Sequence, residues 1–222
     1  MTQGTAGAAR FGEAPLGQTV AAAAAIRRLT SLLLSLEHPH PAVETMLEQF
    51  AGWERELAAV APADPAPRIG VRPDDERRIY LDHATDIGAY NPCFPEYSFQ
   101  HLDAENATGT VAFPLAYEGP PGLVHGGFLG VFFDCVMQHH NCVTGLSGKT
   151  RSLTVTFRRP TPVLTELRFA ITRVQVERAI TSTATLLRDD ELLCTGVVDT
   201  VASRPEELST TQFGRRRKES DI

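Results

Sequence analysis

Hydrophobic and polar residues alternate with a period of two over much of residues 97–203, a pattern typical of half-buried β-strands. The alternation predicts one strand before residue 120 and four strands after residue 150. These strands cover residues 111–117, 153–157, 167–176, 181–187 and 192–201. Pro114 predicts an edge position or a bulge in the first strand, and a slip of phase at Val174 predicts a bulge near Arg173.

One long apolar stretch, residues 123–143, separates the first strand from the other four. The stretch is too long for a strand and contains no proline, so it predicts a buried helix. A curved antiparallel sheet wrapped around one central helix satisfies this order of elements. The sequence therefore predicts an α+β fold.

Two helical patterns precede the sheet region. Apolar residues recur at three- and four-residue steps in residues 26–36 and again in residues 43–60, and two prolines in residues 38–41 separate the two patterns. Phe50 and Trp53 are expected to dock this helical extension onto the rest of the protein. The predicted organisation is a disordered N-terminus (1–17), a helical extension with a proline-rich linker (18–75), a sheet domain (76–203) and a disordered polar tail (204–222).

Composition and charge narrow the classes of function. The 222 residues carry 21 Lys and Arg against 27 Asp and Glu, a formal net charge of -6, so no nucleic-acid partner is expected. The four cysteines form no CxxC pair and are expected to be reduced, as in a cytoplasmic protein. We recognise no signal peptide, and two arginines interrupt the early apolar stretch at residues 20–36, so no membrane span is expected.

The central helix is predicted to begin at a glycine-rich segment that contains Gly126 and Gly127. Two glycines weaken a helix, but they allow a ligand to approach the backbone closely. Free N–H groups at a helix N-terminus, together with the positive end of the helix dipole, stabilise developing negative charge. This segment therefore has the properties of an oxyanion hole.

A single carboxylate, Asp134, lies inside the apolar stretch. A carboxylate there needs either hydrogen-bond partners or a chemical task, and its surroundings alone favour neither. Eight residues, about 12 Å of helix, separate Asp134 from Gly126, so one helix cannot bring both groups to one carbonyl. Two copies packed antiparallel about a two-fold axis can do so. A functional site here would therefore require at least a dimer.

Residues 125–134, a His-Gly-Gly followed by six residues and Asp134, resemble the HGG(x)6D signature of the hot-dog fold thioesterases, the PaaI-like and 4-hydroxybenzoyl-CoA thioesterase superfamily. Residues 150–160, which end in Phe-Arg-Arg-Pro, resemble a strand of that family that closes on an aromatic-x-Arg-Pro pattern. The resemblance covers residues 97–203. It implies a hot-dog fold and a homodimer or tetramer that hydrolyses thioesters of CoA or acyl-carrier protein, with CoA as part of the substrate and no other cofactor.

The resemblance also implies roles for individual residues. Gly126, together with Gly127, would supply the oxyanion amides, and Asp134 would act as the nucleophile or as a general base on water. Thr150 lies where several relatives place a hydroxyl that assists the carboxylate, with Ser152, expected on the same face, as the alternative. Many relatives carry an Asn or Gln shortly before the HGG, whereas residues 117–122 contain no amide side chain.

Other side chains admit two interpretations. His125 is expected to fix the turn through a backbone hydrogen bond rather than to polarise the substrate. Cys135 and His139 have the spacing of metal ligands, but no further ligands accompany them, so no metal is expected. Four arginines are candidates for binding CoA phosphates, although each can also be an exposed strand charge: Arg158, Arg159, Arg173 and Arg178.

Two alternative functions stay open. A hydratase or dehydratase on the same fold usually pairs a catalytic histidine with the acid. Here His125 lies in the HGG turn, so this function fits the sequence less well. A non-catalytic acyl-CoA binding protein would hold the ligand without turnover, and the missing amide side chain before the HGG keeps this interpretation open. The fold alone does not decide among the three.

Overall fold

A computed structural model of the chain describes residues 15–61, 86–145 and 148–203, and it contains one six-stranded antiparallel sheet and one long central helix. The helices are α1 (Gly17–Leu34), α2 (Pro41–Val60), α3 (Ile87–Tyr90) and α4 (Gly126–Val143). The strands are β1 (Tyr97–Leu102), β2 (Asn106–Ala112), β3 (Gly148–Phe157), β4 (Glu166–Val176), β5 (Ala179–Arg188) and β6 (Glu191–Ala202). The strand order is β1-β2-β4-β5-β6-β3, so β1 and β3 form the edges.

The core lies between α4 and the inner face of the sheet, which confirms the predicted α+β arrangement. Phe132 of α4 is fully buried and makes edge-to-face contacts with the rings of Phe113 and Phe169. Burial of each large apolar side chain of this kind contributes about 1.5–3 kcal/mol. Other fully buried core residues from the helix and the sheet are Phe133, Met137, Leu167, Leu186 and Leu193. This packing fixes the position of α4 against the strands.

The segment before α4 forms two strands instead of the one predicted. β1 and β2 pair as a hairpin, and β2 ends at Ala112, after which residues Leu115–Tyr117 form a short 3-10 helix. Pro114 lacks an N–H and cannot continue the ladder. The alternation in β2 was hard to recognise because small residues occupy its inner face, including Gly109, whose Cβ would overlap the Ser98 carbonyl oxygen and the Phe169 ring.

The predicted bulge near Arg173 is wrong, because the pairing of β4 with β5 is continuous from Arg168 to Val176. The buried positions of β4 continue from Ile171 to Arg173, so an arginine stands where the alternation would place an apolar residue. Val174 and Val176 are exposed instead. A polar residue inside the fold therefore produced the apparent slip of phase.

Arg27 attaches α1 to the sheet domain. Its buried guanidinium donates to the Gly88 carbonyl oxygen at 2.5 Å and to the Tyr117 hydroxyl at 3.3 Å, and it forms an ion pair with Glu96 at 2.6 Å. The hydrogen bonds satisfy most of the donors of a charge that would otherwise be unfavourable to bury. These contacts hold α1 against α3 and the 3-10 helix.

α2 begins where the prolines predicted, with His40 as the N-cap and Pro41 as the first helical residue. No residue of α2 is buried, and the expected docking of Phe50 and Trp53 is wrong for the single chain, where these side chains are 41% and 51% exposed. The predicted boundary between the linker and the sheet domain at residues 75 and 76 lies outside the described residues, as do residues 1–14 and the tail after residue 203. None of the described helices is both long and apolar enough to cross a membrane.

Candidate active site

His125 closes the N-terminus of α4. Its Nδ1 accepts a hydrogen bond from the Gly127 N–H at 3.0 Å, and its own backbone N–H donates to the Tyr117 carbonyl oxygen at 2.9 Å. The structure thus places His125 in the predicted hydrogen bond to the backbone of the turn. Because Nδ1 is the acceptor, the proton of the neutral ring is on Nε2.

The Gly126 N–H is the backbone donor left open at this helix end. As the first residue of α4, Gly126 has no intrahelical acceptor for its N–H, and none is found elsewhere among the described residues. The Gly127 N–H, by contrast, already donates to His125. Of the two predicted oxyanion amides, the one at Gly126 is therefore available to a ligand in the single chain.

Three residues spaced by four, Gly126, Gly130 and Asp134, form one partly exposed face of α4, which we call the open face. Edge strand β3 runs alongside it. The open face lies, in the same order, beside Phe157, Leu153 and Thr150 of β3. The helix N-terminus and the carboxylate thus share one face but lie at opposite ends of it, as the sequence predicted.

Thr150 is the hydroxyl partner of Asp134. Its Oγ1 donates to Asp134 Oδ1 at 2.6 Å, whereas Ser152 Oγ donates to Asp199 Oδ2 at 2.8 Å on the other side of the sheet. A bulge between residues 150 and 152 separates the two hydroxyls, because Thr150 pairs with Thr200 and Ser152 pairs with Asp199. The expectation that Thr150 and Ser152 share a face is therefore wrong, and Thr150 alone of the two meets the carboxylate.

A buried polar chain continues from this pair and was missed by the sequence prediction. Gln138 Nε2 donates to Thr150 Oγ1 at 2.8 Å, Asn141 contacts Gln138, and Arg173 Nε donates to Asn141 Oδ1 at 2.7 Å. Asp134, Gln138 and Asn141 are spaced by four and three residues, so the sequence did carry a signal. It is a polar stripe at helical spacing inside an otherwise apolar helix.

The arginines proposed for substrate binding fall into two groups. Arg158 and Arg159 are exposed and directly follow Phe157, the residue of β3 that lies against Gly126 at the helix N-terminus. Arg159 also pairs with Glu191 at 3.4 Å. Arg173 is buried in the polar chain and Arg178 donates to the Ala202 carbonyl oxygen, so neither is placed as a simple exposed strand charge.

Cys135 and His139, the two residues with metal-ligand spacing, have different surroundings. Burial raises the pKa of the Cys135 thiol to about 12, with a smaller contribution from Asp134, so the thiol stays protonated at neutral pH. His139 lies 3.1 Å from the Tyr97 hydroxyl and packs against the rings of Tyr97 and Phe99. No group of three or more potential ligands occurs in the part of the chain that the structure describes.

No protein-family model and no curated protein matches this sequence. Solved structures are similar. A crystal structure described as a thioesterase superfamily protein has a TM-score of 0.67 and 28% identity, and the match covers 84% of this chain and 96% of the other. A phenylacetic acid degradation-related protein from Ralstonia eutropha JMP134 has a TM-score of 0.43 and 22% identity over 47% of this chain and 83% of its own. A hypothetical thioesterase from Streptococcus pneumoniae TIGR4, solved with coenzyme A, has a TM-score of 0.46 and 14% identity, covering 49% and 89%.

The first of these similarities is the informative one. Residues 86–203 are only about half of the chain, so a match over 84% includes part of the N-terminal helical region. The similarity therefore extends beyond the sheet and the central helix to part of the N-terminal helical region. It shows that the chain has the hot-dog fold, and together with the HGG turn at the start of α4 it supports an assignment to the hot-dog thioesterase superfamily.

Proposed function

We propose that this protein hydrolyses acyl-CoA thioesters at a site shared between two subunits. The observation that carries the proposal is the Asp134 carboxylate, which accepts the Thr150 hydroxyl at 2.6 Å on the same helix face that begins with the open Gly126 N–H. A general base and an oxyanion donor are the two groups that thioester hydrolysis requires. Acyl-carrier protein thioesters are the alternative substrates of the same chemistry.

In this reaction, Asp134 takes a proton from water as the water oxygen forms a bond to the thioester carbonyl carbon. Negative charge develops on the carbonyl oxygen, where the Gly126 N–H of the other subunit donates and the α4 dipole adds a favourable field. The oxyanion then re-forms the carbonyl of the acid product as the C–S bond breaks, and the proton held by Asp134 passes to the thiolate, which leaves as CoA. The Thr150 hydroxyl holds Oδ1 of Asp134 and leaves Oδ2 for the water.

The shape of the single chain supports a two-fold dimer. Among the described strands, β3 pairs only with β6, and its side chains Leu153 and Phe157 are 38% and 57% exposed. An unpaired apolar edge strand is a natural site of association. Gly130 lies midway between Gly126 and Asp134, so a two-fold axis near Gly130 would bring each Gly126 to the partner's Asp134.

Two exposed guanidinium groups support CoA as the thiol carrier. Arg158 and Arg159 directly follow Phe157, whose ring lies against Gly126. Guanidinium groups bind phosphate oxygens with two parallel hydrogen bonds, and CoA carries several phosphates. We propose these residues as contacts for the CoA phosphates, with Arg159 released from Glu191 on binding.

The test is release of CoA by the purified full-length protein, followed with a thiol-reactive dye. A panel of short-chain, long-chain and aromatic acyl-CoAs covers the unknown acyl group, and Asp134→Asn is measured beside the wild type. We expect turnover by the wild type and a loss of at least a hundredfold in Asp134→Asn, in the range of a lost general base. Equal turnover by the two proteins would show that Asp134 is not the base.

The other functions give different outcomes in the same assay. A non-catalytic binding protein would show a higher melting temperature with acyl-CoA but no CoA release. A hydratase would consume an enoyl-CoA without releasing the thiol. The geometry favours this last function least, because the Gly127 N–H already uses the free lone pair of His125 Nδ1.

A further inference from the structure

Arg173 is a buried charge with a fixed set of acceptors. Its guanidinium donates from Nε to Asn141 Oδ1 at 2.7 Å, from Nη1 to the Ala104 carbonyl oxygen at 3.0 Å and from Nη2 to Gln175 Oε1 at 3.0 Å. Arginine has donors and no acceptor. Whatever lies against Nε must therefore present an oxygen, and this requirement fixes the orientation of the Asn141 side-chain amide.

The orientation of Asn141 determines that of Gln138. With Oδ1 of Asn141 toward Arg173, its Nδ2 faces Gln138 Oε1 at 3.4 Å. Gln138 Nε2 then faces two hydroxyl oxygens, Thr150 Oγ1 at 2.8 Å and Thr200 Oγ1 at 2.7 Å. Rotating either amide by 180° would place donor against donor, so the orientations follow from the arginine and are not an arbitrary assignment.

The last step concerns one proton. A threonine hydroxyl carries a single hydrogen. Because Thr150 Oγ1 accepts from Gln138, its own hydrogen points away from Gln138, and it is donated to Asp134 Oδ1, 2.6 Å away. An ionised carboxylate can only accept, so the donor direction is the same at every link from Arg173 to Asp134.

We propose that Gln138, oriented by Asn141 and Arg173, is a positioning residue that directs the Thr150 hydroxyl onto Asp134 and so aims the carboxylate at the substrate. This inference rests on the proposed thioesterase function. Gln138 is 6% exposed and Asn141 is fully buried, so neither side chain reaches the substrate itself. Their effect is transmitted through Thr150.

The polar chain also connects the site, which lies beside edge strand β3, with the β1–β2 hairpin at the opposite edge of the sheet. Arg173 is on β4, and through the Ala104 carbonyl oxygen it holds the turn between β1 and β2. His140 holds the same turn, with Nε2 2.6 Å from the Asp103 carbonyl oxygen, and burial lowers the pKa of this histidine, which keeps the ring neutral. The support of Thr150 is thus connected to a backbone carbonyl oxygen of the β1–β2 turn.

The first experiment replaces Gln138 with methionine, which has a similar size but cannot donate to Thr150. We expect kcat for CoA release to fall about tenfold with little change in KM, the effect of losing the one hydrogen bond that orients the Thr150 hydroxyl. Thr200→Val is the matched control, because it removes the other acceptor of the same amide on the side away from Asp134. The control should keep kcat within about threefold, since it leaves the Thr150 contact in place.

A double-mutant cycle separates positioning from simple structural support. If Gln138 acts through Thr150, then Gln138→Met should cause almost no further loss of kcat in a Thr150→Val background. A full additional tenfold loss in that background, or an unchanged kcat in Gln138→Met alone, would overturn the proposal. Equal losses of kcat in Gln138→Met and Thr200→Val would overturn it as well.

A second readout does not depend on turnover. In NMR spectra of the intact wild-type protein, the Gln138 side-chain amide protons should exchange slowly with water and show contacts to the methyl groups of Thr150 and Thr200. Gln138→Met identifies these signals by their disappearance, and Thr150→Val should shift them. A wild type without CoA release would contradict the proposed function alone, whereas rapidly exchanging Gln138 amide protons would contradict the positioning role whatever the activity.

Discussion

Gly126 lies against the ring of Phe157: a Cβ built on this glycine would be 3.1 Å from Phe157 Cζ. The ring is 57% exposed and can move by the few tenths of an ångström that an added methyl group requires. Substitutions of Gly126 can therefore separate the effect of an added side chain from the effect of the backbone N–H. Alanine adds a methyl group and keeps the N–H, whereas proline removes the N–H.

We expect Gly126→Pro to lower kcat/KM by about a hundred- to a thousandfold, the effect of losing one oxyanion donor, and Gly126→Ala to lower it by less than about tenfold. Proline is favoured at the first position of a helix, and the preceding residue, His125, already has the extended backbone that proline requires (φ -64, ψ 131). Kinetics and circular dichroism of the two variants check this. A proline variant as active as the alanine variant would exclude the Gly126 N–H as the oxyanion donor.

The shared site predicts complementation between two inactive variants. In a mixed dimer of Asp134→Asn and Gly126→Pro chains, one site combines the intact Asp134 of one chain with the intact Gly126 of the other. Mixed dimers purified through two different affinity tags should therefore recover about half of the wild-type activity, because one of two equivalent sites is restored. Recovery should be absent if each chain contains a complete site.

The exposed edge strand predicts where the subunits meet. Leu153 of β3 lies beside Gly130, so Leu153→Arg should place a charge in the subunit interface and convert the protein to monomers with little CoA release. Light scattering after gel filtration measures the mass. Val60→Arg is the control, since Val60 is 78% exposed at the end of α2 and its replacement should leave the mass unchanged. A Leu153→Arg protein that keeps the wild-type mass would place the interface elsewhere.

Asp86 predicts a dependence of stability on pH. Its carboxylate accepts the backbone N–H groups of Gly88 at 2.9 Å and Tyr97 at 3.4 Å, yet burial outweighs these bonds and raises the pKa of Asp86 from 3.8 to about 6. The folded protein binds this proton more tightly than the unfolded chain does. The stabilisation is therefore fully present below pH 4 and is lost as the pH rises through about 6.

The variant Asp86→Asn keeps an acceptor for the N-cap of α3 and removes the titration. We expect its free energy of unfolding to vary less between pH 4 and 6 and to exceed that of the wild type by about 1–2 kcal/mol at pH 7. Urea titrations at several pH values measure both quantities. Parallel curves for the two proteins would mean that Asp86 does not titrate in this window.

The predictable part of the fold was the part with long, regular patterns. β5 and β6 were predicted because two runs rich in apolar and β-branched residues flank an acidic turn, and α4 because its apolar run exceeds any strand. β2 was misplaced because Ala107 and Gly109 fill its inner face, and small residues give a weak hydropathy signal. Tertiary contacts with Phe169 impose that glycine, and they are not visible from local sequence.

The candidate site was predictable where local sequence fixes geometry. His125, Gly126 and Asp134 lie on one helix, so their separation follows from helical rise alone. The choice between Thr150 and Ser152 depended on a bulge in β3, which no local pattern of residues indicates. Arg173 was considered as a ligand for phosphate or as an exposed strand charge, because its partner Asn141 belongs to another element and gives no local signal.

The bulge in β3 has a consequence for comparing this chain with distant relatives. Counting back by twos from Phe157 leads through Val155 and Leu153 to Arg151, not to Thr150, although Thr150 is the residue that faces the helix. A relative whose strand lacks the extra residue would carry the equivalent hydroxyl one position closer to its aromatic residue. A gapless alignment would then match that hydroxyl with Arg151 and wrongly suggest that this chain lacks the equivalent hydroxyl. Deleting Arg151 from this chain should leave Thr150 facing Asp134, because the ladder would become regular without exchanging the two faces.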